Sequence, residues 1–549
     1  MTYAMLSKLF CFTRSKSHTY TLSKNKSSRS STSDDPPRYV ESQSRTVRGI
    51  EQRRQQHSSP KDRALILDLG DVLFHYDTSS LALPRSTFYS VILSPTWNEL
   101  ECGRISEDEA LAAIGKELSL DPETIHGALS QARQTLRVDH ELYAQLLALK
   151  DEMEGNLKVF AMTNIAKDDF LRLKAVLPSW NLFDEEFTSC EVGMIKPELG
   201  YYQYVLREAN LDDPSSVIFV DDKVANVVAA RSFGIHGIVY DSAEMLMRRL
   251  RNQLFDPIAR ACEFMRANAR NHVTQVEDGP MFRDVFSQFL IHTVLQDASI
   301  ISLSPGEAST TQIEQDLQQA KQRAKQWNYF AGPPVGTTAK FPADVDDTAM
   351  ALLAFSPPAS SASAVLDTFL ANRHSRDGLV QTYFDKSRPR VCAVVLVNVC
   401  RVFYHYNRGE DIQHELQYVR HILSNRACLE GTAMYLGTEP FLYFLSCLVQ
   451  DNLNMPEVQS LREPLASALR ERVGRGGDSF RIASRALACQ AMGVWVDPDI
   501  SDLKELQLCD GGWEIGWVCR YGRTQKRIGS RGVATAFAIK VLEHEAKRS

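Results

Sequence analysis

The chain has 549 residues, too many for one ordinary hydrophobic core, so two or three domains are expected. Its hydrophobic content of 44% is that of a globular protein, and a formal net charge of −6 gives no reason to expect a nucleic-acid partner. The 11 cysteines form neither a C-x-x-C pair nor a His-bearing zinc spacing and read as the reduced thiols of a cytoplasmic protein; no run approaches the ~18 apolar residues of a transmembrane helix.

Residues 1–60 are rich in Ser, Thr, Lys and Arg, with Asp34 as the first acid, and are expected to form a disordered basic tail. A domain is expected over 61–255. Ala64-Leu65-Ile66-Leu67 predicts a buried strand that delivers Asp68 at its carboxyl end, where open α/β sheets place their sites. Helical spacing follows over about 85–150. A second strand, Leu157 to Met162, ends in Thr163-Asn164, and Lys196 follows in Ile195-Lys196-Pro197. A third strand, 216–220, runs into Asp221-Asp222, and 234–240 predicts a fourth.

These motifs, Asp68, Thr163-Asn164, Lys196 and Asp221-Asp222 in this order, resemble the haloacid dehalogenase superfamily, in particular its phosphatases with a helical cap. The resemblance implies a Rossmann-like parallel sheet with the cap at about 85–150. It implies Asp68 as nucleophile, Thr163 and Asn164 at the phosphoryl oxygens, and Lys196 neutralising charge. Mg²⁺ would be held by Asp68, the Gly70 carbonyl, Asp221 and Asp222, with Asp222 the more direct ligand. Carboxylate oxygen suits this hard cation, and phosphoryl transfer needs mainly positioning and charge neutralisation. One departure stands out. Gly70 occupies the place of the family's usual general acid, whose loss typically costs roughly 10² to 10⁴ in rate. A phosphoanhydride leaving group departs without a proton, so a diphosphate substrate fits better than a plain monoester.

After about residue 255 the strand signals vanish, and residues 265–549 predict an all-α domain of helical hairpins, with helices at 285–295, 364–371, 391–406, 433–449 and 534–545. Two Asp-Gly turns followed by aromatics, at Asp377-Gly378 and Asp510-Gly511, echo each other and suggest an α-barrel. Between them and the first strands of the chain lies Asp344-Val345-Asp346-Asp347-Thr348-Ala349, at the start of a helix over 348–355. Three carboxyl groups within four residues repel one another, so one can stay protonated at neutral pH. Such an acid beside aromatic surface can protonate an alkene.

This stretch resembles the D-x-D-D motif of class II terpene cyclases. The order of the two domains is similar to that of fungal drimane-type sesquiterpene cyclases, of the albicanyl or drimanyl diphosphate synthase and albicanol or drimenol synthase type. The resemblance implies farnesyl diphosphate as substrate and Asp346 as proton donor tuned by Asp344 and Asp347. A bicyclic diphosphate, albicanyl or drimenyl, would form, and the N-terminal domain would remove its phosphate. Trp327, Tyr329, Phe330, Tyr383, Trp513, Trp517 and Tyr521 are candidates for stabilising carbocations. Two basic clusters, Lys386, Arg388 and Arg390, and Arg520, Arg523, Lys526, Arg527 and Arg531, are candidates for the diphosphate. Three further readings stay open at this point: a cyclase with a merely structural phosphatase-like domain, a phosphatase with a helical binding domain, and a non-catalytic module.

Overall fold

The computed structural model describes residues 63–177 and 179–548; the expected tail at 1–60 lies outside them. The N-terminal domain is built on five parallel strands in the order β5-β4-β1-β6-β7: β1 Arg63–Leu67, β4 Leu157–Thr163, β5 Glu185–Thr188, β6 Val217–Asp221 and β7 His236–Val239. The short pair β2 Phe74–His75 and β3 Arg137–Val138 forms a separate ribbon. Strand side chains alternate between faces, and here both faces are covered, which is why the strands read as unbroken apolar runs. Leu65, Leu67, Val159 and Val220 pack on one side of the sheet, and Ile66, Phe160, Met162 and Phe219 on the other. The register sets Leu67 between Ala161 and Val220, so that Asp68, Thr163 and Asp221 emerge along one edge. The edge strand β5 was not expected; it is short and opens on two glutamates, which hides it from a search for apolar runs.

The cap is inserted between β1 and β4. Its helices Arg85–Ile92, Pro95–Glu101, Glu107–Leu118 and Pro122–Gln134 bury their own core, including Phe88, Trp97, Leu111, Ile114 and Leu129. The β2–β3 ribbon ties the outgoing and returning chains together at its base. The cap therefore ends at residue 134 and not at 150. Helix His140–Glu152 turns Leu142, Leu146 and Leu149 onto the sheet. A helix has the same 3.6-residue period whichever body it covers, so periodicity cannot show this boundary.

In the C-terminal domain six helices close a ring: Val285–Leu295, Val345–Phe355, Ala393–His405, Glu439–Asp451, Ser479–Met492 and Arg531–Ala546 each pack on the next, and the last returns to the first. They are among the most apolar of the chain, as helices buried on all sides must be. Amphipathic helices such as Gln413–Ser424 and Arg462–Arg470 pack outside the ring. Helix Pro257–Ala267 packs on Arg531–Ala546, so the domain begins at about 257 and not at 265. The domain also carries strands where none were expected: β8 Thr274–Val276, β9 Met281–Phe282, β10 Gly516–Arg520 and β11 Arg527–Ser530 form an antiparallel sheet in the order β10-β11-β8-β9. Each is too short or too polar to signal itself. Both Asp-Gly turns are present, and Gly511 takes φ +86° where a Cβ would lie 2.4 Å from the Arg260 carbonyl oxygen. The two domains meet where Arg248 donates to the Gln507 carbonyl (3.1 Å) and Asn252 to that of Lys504 (3.1 Å). No described helix is long and apolar enough to cross a membrane.

Arg485 is fully buried in the ring wall, its Nε 3.1 Å from Asp499 Oδ2, with Glu439 3.6 Å away. Asp499→Ala strands this charge and is expected to cost about 3–5 kcal/mol, read as a lowered unfolding midpoint. An unchanged midpoint would mean that Glu439 alone compensates Arg485.

Candidate active sites

The carboxylate motif occupies the first turn of helix Val345–Phe355. Asp344 is the N-cap, accepting from the Asp347 N–H at 2.8 Å. The helix begins three residues earlier than expected because the acids themselves cap it. The turn is stitched to its surroundings by backbone: the Asp344 N–H donates to the Trp327 carbonyl (3.0 Å), the Val345 N–H to that of Thr382 (2.8 Å), and the Trp327 N–H to the Thr348 hydroxyl (3.0 Å).

All three carboxyls are buried. Burial is the first cause raising each of them above the ordinary carboxylate range. Asp344 is pushed up to about 7 by burial, with Asp346 adding to the effect and a hydrogen bond from Asp347 opposing it. Asp347 is raised well above the usual value by burial, then by the charge of Asp344, to whose carboxyl it is hydrogen-bonded. One oxygen of Asp347 is buried without a partner. Asp346 owes its shift to burial alone, against the Tyr435 and Asn398 hydrogen bonds and the Arg401 charge. Like-charge crowding, expected to be decisive, acts on the flanking pair and not on the middle acid.

Asp346 accepts from the Asn398 amide (2.9 Å) and from the Tyr435 hydroxyl, and Arg401 holds the Asn398 carbonyl oxygen at 2.9 Å. None of these three partners was foreseen. Asn398 and Arg401 sit three apart inside the apolar helix Ala393–His405, where a buried Asn and Arg among valines were the available signal. Tyr435 was placed in a helix over 433–449, but that helix starts at Glu439, and Tyr435 lies on the preceding loop.

The three acids open onto a cavity of about 630 Å³. Phe286, Tyr329, Phe341, Tyr383 and Tyr435 supply its aromatic wall, and Arg388, Arg390, Arg520 and Arg523 reach it as cations. Of the expected aromatics, Tyr329, Tyr383 and Tyr521 line it. Trp327 and Phe330 stand behind the wall, packed on Phe289 and on Phe341 respectively. Trp513 belongs to the core on the far side of the ring, fully buried, with its indole N–H donating to the Leu503 carbonyl at 2.8 Å. Of the expected cations, Lys386 is exposed outside the lining, and Arg527 is spent on Glu277 (2.6 Å) and the Trp517 ring (4.7 Å). Arg531 is likewise paired, with Asp510 at 2.9 Å, whereas Arg390, pressed against Gly522, lines the cavity as expected of its cluster. The Arg520 Nε is buried without a partner.

The second site lies at the carboxyl edge of the parallel sheet. Lys196 Nζ stands 2.9 Å from Asp68 Oδ1 and 2.7 Å from Asp221 Oδ2, and donates to the Met162 carbonyl at 2.9 Å. Burial pushes Asp68 up to about 7, with Lys196 opposing and Asp221 adding. Burial works against the Lys196 charge, but Asp68 and Asp221 outweigh it and raise the ammonium further. Asp221 is also held by Asn226 (2.9 Å) and by the Lys223 N–H (2.8 Å). One oxygen of Asp222 is buried with no partner, and carboxylate oxygens of Asp68, Asp221 and Asp222 lie within 4.8 Å of one another. An oxygen-only donor set with an unsatisfied buried carboxylate fits a hard divalent cation. Asn164 differs from expectation: its side chain clasps the Lys196 main chain, donating to the carbonyl (2.9 Å) and accepting from the N–H (2.8 Å). That leaves Thr163 as the side-chain donor of the pair. Gly70 lines the same cavity, with no atom within 4 Å of where a Cβ would stand.

These two sites define a class: a cap-bearing phosphatase-type domain fused to a helical barrel that holds a buried acid against aromatic walls. The comparisons with known proteins agree. A family profile described as the sesquiterpene cyclase astC-like C-terminal domain matches residues 258–406. The chain is 36% identical over 481 residues to drimenol cyclase drtB of Aspergillus calidoustus, covering 87% of this chain and 88% of that protein. Its N-terminal part is 34% identical over 178 residues to sesquiterpene phosphatase astK of Aspergillus oryzae, covering 32% of this chain and 88% of that protein. A solved HAD-like family hydrolase of Porphyromonas gingivalis aligns with 34% of this chain and 98% of its own, at 22% identity and a TM-score of 0.28. The chain belongs to the fungal drimane-type sesquiterpene cyclases, with an N-terminal haloacid dehalogenase-like domain and a C-terminal class II terpene cyclase domain.

A carboxyl that keeps its proton in the fold but ionises normally when unfolded makes the folded state bind more protons, so stability falls as pH rises above about 4, up to the raised folded value. Asp347→Asn removes that loss, by up to about 1.4 kcal/mol per pH unit. The variant is expected to unfold at a higher temperature than the wild type, with a larger advantage at pH 8 than at pH 5. An advantage that does not grow with pH would show that Asp347 is ionised in the fold.

Proposed function

We propose that the chain cyclises farnesyl diphosphate by protonation to a bicyclic drimane-type diphosphate, albicanyl or drimenyl, and that its N-terminal domain then dephosphorylates the product to the alcohol. The observation that carries the first step is Asp346, a buried acid on an aromatic wall. Burial favours its protonated form, while Asn398 and Tyr435 stabilise the carboxylate left once the proton is given to the distal double bond. Asp344 and Asp347, themselves raised by burial, tune it. Phe286, Tyr329, Phe341 and Tyr383 face the cations that form as two rings close. Arg388, Arg390, Arg520 and Arg523 hold the diphosphate, which stays on the substrate because ionisation begins at the other end. Loss of a proton ends the cascade.

For the second step Asp68 is the nucleophile, Lys196 neutralises the phosphoryl charge, Thr163 donates to its oxygens, and Asn164 positions Lys196. Asp68, the Gly70 carbonyl, Asp221 and Asp222 would hold Mg²⁺. When bound, that ion neutralises phosphoryl oxygens and orients the group for attack. The cavity over Asp68 has a volume of about 810 Å³ and is walled on the cap side by Phe88, Tyr89, Ile92, Leu93, Trp97 and Leu129. Such a lining suits a hydrocarbon tail rather than a sugar or nucleotide. Among the described residues the cysteines are free thiols, which supports work in the reducing cytoplasm. Gly70 favours a second reading, a cyclase that leaves the diphosphate on.

The test is to incubate the protein with farnesyl diphosphate and Mg²⁺ and to extract with and without an added phosphatase. A cyclic alcohol released directly is the expected result. An alcohol seen only after added phosphatase would leave the cyclase alone standing, and no cyclic product would sink both readings. Asp346→Asn is expected to abolish cyclisation, and Asp68→Asn to block dephosphorylation while cyclisation continues. Continued cyclisation by Asp346→Asn would overturn the acid assignment.

A further inference from the structure

Removing both phosphates of a terpenyl diphosphate poses two chemical problems. The first cleavage expels a monophosphate, which leaves without help. The second expels an alkoxide, which needs a proton. Gly70 cannot supply it. The volume beside Gly70 where the missing side chain would stand is open, and it belongs to the cavity shared by Thr163, Asn164 and Lys196.

One further carboxyl of that cavity comes from the cap. Glu101 closes helix Pro95–Glu101 and lines the same space as Gly70 and Lys196. Its position is fixed from two sides. The Trp97 indole N–H donates to Glu101 Oε1 at 3.1 Å, holding the carboxyl from one helical turn away. The Glu101 carbonyl accepts from the Ser189 hydroxyl at 2.6 Å, and that same hydroxyl accepts from the Ile165 N–H at 2.9 Å. The end of the cap helix is thereby tied to the loop that follows Thr163-Asn164. Of the other acids lining this cavity, Asp169 is committed to Arg133 at 2.7 Å, and Asp71, on the turn after Gly70, is exposed to solvent.

We infer that Glu101 is the general acid and base of the phosphatase site, supplied by the cap in place of the residue absent at Gly70. The inference rests on the reading of this domain as a phosphatase. In the first half-reaction an Asp68 oxygen bonds to phosphorus, the phosphorus–alkoxy oxygen bond breaks, and the Glu101 proton passes to the departing oxygen, giving the alcohol. In the second, the Glu101 carboxylate takes a proton from water, the resulting hydroxide bonds to phosphorus, and the Asp68–phosphorus bond breaks. Inorganic phosphate leaves, and Asp68 and protonated Glu101 are restored. Burial, opposed by the Trp97 hydrogen bond and the charges of Lys223 and Lys196, raises Glu101 above the ordinary carboxylate range, in keeping with an acid that starts protonated.

The test uses the full chain with Mg²⁺ and two probes, farnesyl monophosphate with its alkoxide leaving group and acetyl phosphate with its good one. Glu101→Gln is expected to hydrolyse farnesyl monophosphate roughly 10² to 10⁴ slower than the wild type. In a single turnover it is still expected to become phosphorylated at Asp68 by acetyl phosphate and to keep the phosphoryl group, which a misfolded site could not do. Gly70→Asp combined with Glu101→Gln is expected to recover much of the monophosphate activity, since a side chain at Gly70 meets open space. Wild-type turnover of farnesyl monophosphate by Glu101→Gln overturns the assignment, as does equal loss on both probes without any phosphorylated enzyme. If the wild type releases phosphate from neither probe, the phosphatase reading itself fails, and this inference with it.

Discussion

Everything in the C-terminal domain serves to keep three carboxyl groups dry at the start of one helix. A helix N-terminus favours ionised acids, by about 0.3–1 kcal/mol each at exposed sites. Burial works the other way and is worth far more, since an isolated carboxylate in a low-dielectric interior is so costly that the group takes up a proton instead. The ring of apolar helices supplies that interior. The loops that carry Trp327 and Thr382 clamp the backbone of the motif, so that it is buried without leaving the first N–H groups of the helix unpaired. The charge of Asp344 then raises Asp347 further. The middle acid alone keeps donors on both oxygens, which makes it the one able to lose a proton and be left as a stabilised anion.

The same demand explains which parts of this architecture could be read in the sequence. In the N-terminal domain Asp68, Thr163 and Asp221 each sit at the end of an apolar strand, so the chemistry and the element that delivers it are neighbours along the chain. They were visible for that reason, and the parallel sheet with them, whereas Lys196, in the loop after helix Ser189–Val192, was visible only by its place in the order of motifs. The cyclase site is assembled differently. Asp346 is contiguous with its motif, but Asn398, Arg401 and Tyr435 come from two other stretches, and nothing local marks them as facing Asp346. Aromatic residues pose a similar difficulty. Trp513 and Tyr329 look alike in sequence, and only their radial position in a closed ring puts one in the wall of the cavity and the other in the core. Among the arginines, sequence does not show which ones a distant acid claims; Arg388 keeps only a local contact with Asp385, at 3.3 Å. Arg527 has Glu277 across the β8–β11 sheet, a neighbour 250 residues away in sequence.

Both domains arrive at one physical device by separate routes. In each, burial raises a carboxyl above its usual value, and a neighbouring donor keeps it aimed: Tyr435 and Asn398 for Asp346, Trp97 for Glu101. The two reactions ask for the same thing, a proton delivered to a poor base, an alkene carbon in one case and a departing alkoxide in the other.

Housing both sites in one chain creates a conflict of order, because a phosphatase that acts first destroys the substrate of the cyclase. In the proposed function the diphosphate anchors the substrate on the arginines lining the barrel cavity, so the phosphatase site has to prefer the product. Its cap cavity offers a means. A farnesyl tail entering that apolar space must freeze many rotatable bonds, whereas the bicyclic product arrives with most of them already fixed. Ordering flexible groups costs about 0.5–1.5 kcal/mol for each immobilised side chain in protein interfaces, and a linear isoprenoid pays on the same scale. A broad apolar pocket that makes similar contacts with both therefore binds the rigid molecule more tightly, with no recognition of individual carbons. The selectivity that keeps the two steps in order can then reside in the substrate's own entropy, read by the walls formed by Phe88, Leu93 and Trp97.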